Sequence, residues 1–179
     1  PFQMNTGLRK ASPIRSKSRI FHKKCHAHQA QLLPSVLPTS PYSRYTVRYV
    51  FRIETVKPYP YDHMETVKLA QKEQKENARP ELKGNEINIE PYDTIILGYP
   101  NWWNTMPMAV FSFLESHDFA GKTILPLCTH EGSGMGRSEA DIKAVCPDAR
   151  VERGLAITGC KVSKAGKNIE KWLTLAGLM

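Results

Sequence analysis

The chain reads as an α/β protein, a parallel sheet covered by helices on both faces, and three observations carry that reading. From Thr46 onward, strand-like and helix-like stretches alternate four times, the pattern that gives parallel strands joined by right-handed crossovers. Thr94–Gly98 and Lys122–Leu127 are short, continuously apolar runs, as expected of strands buried on both faces. Each is followed by a loop of unusual composition, Tyr99-Pro100-Asn101-Trp102-Trp103 and Cys128-Thr129-His130-Glu131-Gly132-Ser133-Gly134. Both loops therefore fall at the carboxyl end of one sheet, where open α/β sheets bind ligands.

The elements follow in order. In Thr46–Ile53, Val47, Tyr49, Phe51 and Ile53 point one way and Arg48 and Arg52 the other, which suits a half-solvated edge strand. After the break at Tyr59-Pro60-Tyr61-Asp62, Met64 to about Lys75 carries a thin apolar stripe of Met64, Val67 and Ala70 or Gln71, an exposed edge helix. Tyr92–Gly98 is the central strand. Pro107 fits a first helical turn, with Val110, Phe111 and Leu114 at helical spacing before His117 and Gly121 close the element. Thr123–Leu127 is the next strand. Ser138-Glu139-Ala140-Asp141 resembles an N-cap with a carboxylate three residues on, opening a helix that stops before Pro147. Val151–Ile157 gives the last strand. Ile169, Trp172, Leu173 and Ala176 form one face of a terminal helix ended by Gly177.

A length of 179 residues suits one domain, and no run approaches the roughly 18 apolar residues of a membrane span. The net charge of +8 is unevenly placed. Ten of the 25 Lys and Arg lie before Glu54, the first acidic residue, which leaves 15 basic against 17 acidic residues from there on. The basic balance thus belongs to a leading segment, and the sequence divides into a basic, irregular stretch over 1–45 and a folded domain over 46–179. In the leading segment, Pro34 and Pro38 argue against Gln31–Leu37 as a central strand. Its basic run Arg9–Lys24 has the composition of a nucleic-acid, lipid or targeting segment, but an unstructured stretch without such a role is the simpler reading. Cys25-His26-Ala27-His28 has metal-ligand residue types without partner ligands, so no metal is expected. The four cysteines, Cys25, Cys128, Cys146 and Cys160, show no CxxC spacing, which favours reduced thiols and a cytoplasmic setting.

The two loops carry the chemistry. Adjacent tryptophans directly after a buried strand are hard to shield together, so one of Trp102 and Trp103 faces a ligand or the helix beneath; capping of the core by both is the plainer alternative. Gly132, Gly134 and Gly136 let backbone N–H groups approach a heterocycle's carbonyls. The spacing is neither a dinucleotide fingerprint nor a nucleophile elbow, since Glu131 and not Gly stands two before Ser133. His130 and Glu131 have acid/base residue types, though a solvated loop pair accounts for them.

Tyr99-Pro100-Asn101-Trp102-Trp103 with Met106-Pro107, and Cys128-Thr129-His130-Glu131-Gly132-Ser133-Gly134, resemble the flavodoxins, specifically a short flavodoxin-like branch with "GYPxWW" and "CTHEGSG" loops, over about residues 51–178. The resemblance implies a three-layer fold with strand order 2-1-3-4-5, non-covalent FMN, and transfer of one or two electrons. It implies cofactor-binding roles for Pro100, Asn101, Trp102, Trp103, Thr129, Glu131, Gly132, Ser133 and Gly134. The implied partner is a redox protein or a small-molecule electron acceptor, with no nucleic acid and no membrane; electron carrier and flavin-dependent NAD(P)H or quinone oxidoreductase both fit. The family grips the FMN phosphate with a Ser/Thr/Gly-rich turn after its first strand. Asn5-Thr6-Gly7 has suitable types but no strand before it, so the first βα unit reads as missing or replaced. The chain opens on Pro1 and the family pattern sets in near Phe51; residues before about Val50 are expected to derive from a frameshift, a fusion or a mis-called start. A truncated, flavin-free relic, or a binding module working through its basic tail, is the alternative.

Overall fold

A computed structural model describes residues 30–36, 46–47, 50–84 and 87–179, the first two stretches as backbone. Its strands are β1 (Ala30–Val36), β2 (Thr46–Val47), β3 (Phe51–Ile53), β4 (Thr94–Pro100), β5 (Thr123–His130), β6 (Arg150–Val151) and β7 (Leu155–Thr158). The α-helices are α1 (His63–Lys75), α2 (Met108–Glu115), α3 (Ser138–Val145) and α4 (Gly166–Leu175), with a 3-10 turn at Gly159–Lys164 before the last. The strands form one sheet in the order β2-β1-β4-β5-β6, with β3 on β1 and β7 on β5. β2 with β3 and β6 with β7 each fill a single position, so the five positions follow the 2-1-3-4-5 order that the resemblance implies.

β4, β5, β6 and β7 run parallel, with Thr94 opposite Thr123 and Pro100 opposite Thr129. The central position beside β4 departs from the sequence reading. Ala30–Val36 occupies it, ahead of the boundary at Thr46, and runs antiparallel, with Gln31 opposite Gly98 and Ser35 opposite Thr94. Pro34 was expected to break such a strand. On the side away from β4, β3 pairs Ala30 to Leu32 and β2 pairs Ser35 and Val36. Leu33 and Pro34 thus face the gap between β2 and β3, where part of the ladder that a proline would interrupt is not formed. The single strand expected over Thr46–Ile53 is accordingly two short pieces. The expectations for Cys25-His26-Ala27-His28, Asn5-Thr6-Gly7 and Arg9–Lys24 lie outside the described residues.

One sheet face packs on α2 and α3. Val110, Phe113 and Leu114 from α2 and Ile142 from α3 meet Ile95, Leu97, Tyr99, Ile124 and Cys128 there. Phe113 is fully buried, a core anchor that the expected Val110, Phe111 and Leu114 stripe misses, and Phe111 is only partly buried. α1 is the exposed helix its composition suggests, burying Thr66 and Ala70 while Met64 stays 58% exposed. The other face packs Ile96 and Leu125 against Trp172 and Leu178. α4 ends in a Schellman arrangement, with Gly177 N–H on Thr174 O and Leu178 N–H on Leu173 O at 3.0 and 2.9 Å. Gly177 has φ +74° there, as its C′ position requires. The α3 cap differs from expectation. Ser138 is the first helical residue, fully buried, and its hydroxyl donates to Met135 O and accepts from Tyr99 instead of capping the helix.

Candidate functional site

β4 and β5 extend further than their apolar runs, so Pro100 and Thr129 face each other in the ladder and the two loops begin beyond them. In the first loop, Trp102 and Thr105 close a tight turn through Trp102 N–H to Thr105 O at 2.8 Å and Thr105 N–H to Trp102 O at 3.2 Å. Its central residues, Trp103 and Asn104, have φ of +51° and +69°. Two successive positive φ values mark a type I′ turn, a place that Asn or Gly occupies readily and Trp does not. Such strain in a bulky residue persists only where its surroundings hold it. Here the Trp103 indole N–H donates to Val67 O in α1 at 3.0 Å, and Trp103 O accepts from the Gln74 amide at 3.0 Å. The ring itself remains 45% exposed.

Trp102 is half-buried and meets Tyr59 edge to face, with centroids 5.0 Å apart. Tyr59 in turn donates to Glu73 Oε2 at 2.8 Å. Burial drives the Tyr59 hydroxyl pKa far up, the Glu73 carboxylate beside it adding to the shift, so it stays protonated. Burial also raises the Glu73 carboxyl above the usual carboxylate range, against the hydrogen bond from Tyr59.

In the second loop Glu131, Gly132 and Ser133 are exposed and Gly134 is half-buried. Gly132, Gly134 and Gly136 have φ of +129°, +61° and +57°. The N–H groups of Glu131, Ser133 and Gly134 find no acceptor among the described residues, while Gly132 N–H is taken by His130 Nδ1 at 2.9 Å. His130 is therefore a brace of this loop, its Nδ1 an acceptor.

The loops are tied to each other. Asn101 N–H donates to Thr129 O at 2.7 Å, and its side-chain amide donates to Gly134 O at 3.0 Å while accepting Asn104 N–H at 3.0 Å. Arg137 N–H donates to Asn104 O at 2.9 Å, and a Cβ on Gly136 would lie 2.3 Å from that same oxygen. Behind them, Tyr99 OH donates to Ser138 Oγ at 2.7 Å, and buried Thr105 donates to Asp141, which also takes the Arg137 guanidinium at 3.1 Å. Cys128 is buried and burial pushes its thiol up to about 12, so it serves as a packed donor toward Thr129 O and Gly134 O.

The expected site residues are thus brought together with distinct parts. Trp102, Trp103 and the backbone of Glu131–Gly134 line the edge; Asn101 joins the loops; Pro100 and Thr129 belong to the sheet. Tyr59, Asn104, Thr105 and Gly136 were not expected. Asn104 and Gly136 carried a legible signal, since an Asn after two tryptophans and a Gly before Arg137 are residues that positive φ favours. The largest surface depression among the described residues, about 270 Å³, lies elsewhere, lined by Arg79, Pro80, Leu82, Ser112, Glu115 and Ser116. Arg79 there is locked onto Glu115 at 2.6 and 2.7 Å, which leaves no free charge for a ligand. No group of three or more His, Cys, Asp and Glu among the described residues is placed to hold a metal, and no helix is long and apolar enough to cross a membrane.

A family model described as flavodoxin matches residues 25–175, beginning well before the Phe51 at which the pattern becomes visible by eye. A candidate flavoprotein from Bacteroides eggerthii DSM 20697 is 28% identical with a TM-score of 0.58, over 71% of this chain and 80% of that one. One from Bacteroides uniformis ATCC 8492 is also 28% identical, with a TM-score of 0.55 over 66% and 78%. A flavoprotein in complex with FMN from Lactobacillus acidophilus NCFM is 18% identical and shares the fold, with a TM-score of 0.51 over 63% and 76%. No curated protein matches significantly.

Proposed function

Since the chain belongs to the flavodoxin family, we propose that it binds a flavin, FMN being the form the family implies, between the loops after β4 and β5 and serves in electron transfer. The observation that carries this is the Asn101 tie. It holds an aromatic loop and a loop of unpaired backbone N–H groups at one sheet edge, where a planar heterocycle needs a stacking face and donors to its carbonyls. When bound, the flavin supplies the one- and two-electron chemistry, and the protein supplies binding and electrostatics.

Trp102, steadied by Tyr59, and Trp103, pinned to α1, would give the stacking surface. The Glu131, Ser133 and Gly134 amides would point donors at the ring, and Asn101 would fix their spacing. The exposed Trp103 leaves the edge open to a redox partner protein or a small-molecule acceptor. The ring fits this site; the phosphate finds no cradle in the described residues, as developed below.

The test is titration of the full chain with FMN, following tryptophan quenching and the flavin spectrum, then reduction under nitrogen and re-oxidation by a quinone or by a protein acceptor. Saturable binding with reversible reduction is the expected result. Failure to bind any flavin would favour the flavin-free relic.

A further inference from the structure

The flavin reading above leaves open which part of the ligand the chain grips, and the direction of β1 bears on that. A strand that runs with β4 delivers the turn after it to the loop edge, where the following helix N-terminus gathers donors for an anion. β1 runs the other way. Gln31 lies opposite Gly98 at the loop edge and Ser35 opposite Thr94 at the far edge. The chain leaves β1 at Val36, so its following turn starts roughly 20 Å from the loops, the span of a seven-residue strand.

The described helix N-termini do not replace the missing cradle. α1 is capped by the Asp62 carboxylate, which accepts Glu65 N–H at 2.9 Å, and Glu65 adds a second negative charge to the first turn. α2 begins at Pro107, which has no N–H, and its first residues Met108 and Ala109 are buried. α3 opens with Glu139 and Asp141; Glu139 accepts Gly154 N–H at 2.6 Å, and Asp141 is paired with Arg137 and Thr105. α4 begins at Ala165, which is buried. A dianion would meet carboxylates or apolar surface at each of them.

We infer that this chain recognises the ring system of a flavin without selecting its phosphate, so that its ligand class is the flavins at large. Riboflavin and FMN present the same ring to Trp102, Trp103 and the Glu131–Gly134 backbone, and nothing described reads the difference.

The test compares riboflavin and FMN by isothermal titration on the full chain, at low and at high salt, and repeats the FMN titration with excess inorganic phosphate. The expected result is riboflavin binding at least as tightly as FMN, or an FMN preference that high salt removes, because scattered surface charge attracts without direction and is screened. Phosphate should not compete. An FMN preference above about fivefold that survives salt, or competition by phosphate, would overturn the inference while leaving the flavin reading intact, since directed charge-assisted hydrogen bonds would then be present. Binding of neither flavin would overturn both.

Discussion

The Asn101 side chain spans the gap between two loops with both ends engaged, donating to Gly134 O and accepting from Asn104 N–H, each at 3.0 Å. An amide is the side chain that can do both, since a carboxylate would set its oxygen against a carbonyl. Asn101→Ala is therefore expected to lower flavin affinity by about 1–2 kcal/mol, the range for two lost neutral hydrogen bonds. Asn101→Asp should do at least as much. Titration with riboflavin checks both, and thermal melts separate loss of the loop tie from loss of the fold.

The tryptophans should part company. Trp102 has a ring neighbour in Tyr59, whereas Trp103 has its indole N–H on Val67 O and a strained backbone. Truncation of either to Ala is expected to cost about 1–3 kcal/mol in flavin binding through lost stacking and area. Trp103→Asn should differ in sign for stability, because Asn accepts φ of +51° without penalty, while flavin affinity still falls. Equal affinity of all three variants and the parent would assign both rings to the fold alone.

The Tyr59–Glu73 pair makes a pH prediction. Burial raises the Glu73 carboxyl above its ordinary 4.5, so the folded protein holds this proton more tightly than the unfolded chain. The associated stability is fully present below the unfolded value and is lost as pH rises through the folded one. Glu73→Gln removes that titration and keeps an acceptor for Tyr59. Denaturant melts from acid to neutral pH should therefore show a flatter profile for the variant. An unchanged slope would remove Glu73 from the groups that set it.

Gly136 and Gly134 offer a paired test of backbone strain against space. Both have positive φ, but a Cβ at 134 meets nothing, whereas at 136 it would run into the Asn104 backbone. Gly134→Ala is expected to cost about 1 kcal/mol from conformation alone. Gly136→Ala should cost clearly more, because the 102–105 turn must move with it. Chemical denaturation of the two variants gives the comparison.

What was legible in the sequence was whatever local composition dictates. The apolar runs of β4 and β5, the edge helix with its Asp62 cap, and the Gly177 ending of α4 all follow from residues near one another in the chain. So did the pairing of an aromatic loop with a glycine loop. What escaped depended on neighbours far along the chain. Pro34 is tolerated because β2 and β3 leave a gap beside it, and no local pattern announces that gap. Ser138 looked like a cap and is instead a buried partner of Tyr99, 39 residues earlier. Val151–Ile157 splits around Gly154, where a Cβ would approach the Pro126 backbone to 2.9 Å. Tyr59 joins the site through Trp102, a contact between distant segments.

Among the described residues, α4 alone supplies the second sheet face with its helical partner, and its indole peg, Trp172, donates to Arg153 O at 2.9 Å. That layer rests on four buried side chains, against fifteen on the opposite face. Such an imbalance makes the carboxyl-terminal helix a candidate for opening as a unit of its own while the rest of the sheet stays closed. Amide exchange would then register two protection tiers, with the α4 amides in the faster one. The loops at the far ends of β4 and β5, anchored to the thicker layer, would ride out such openings undisturbed.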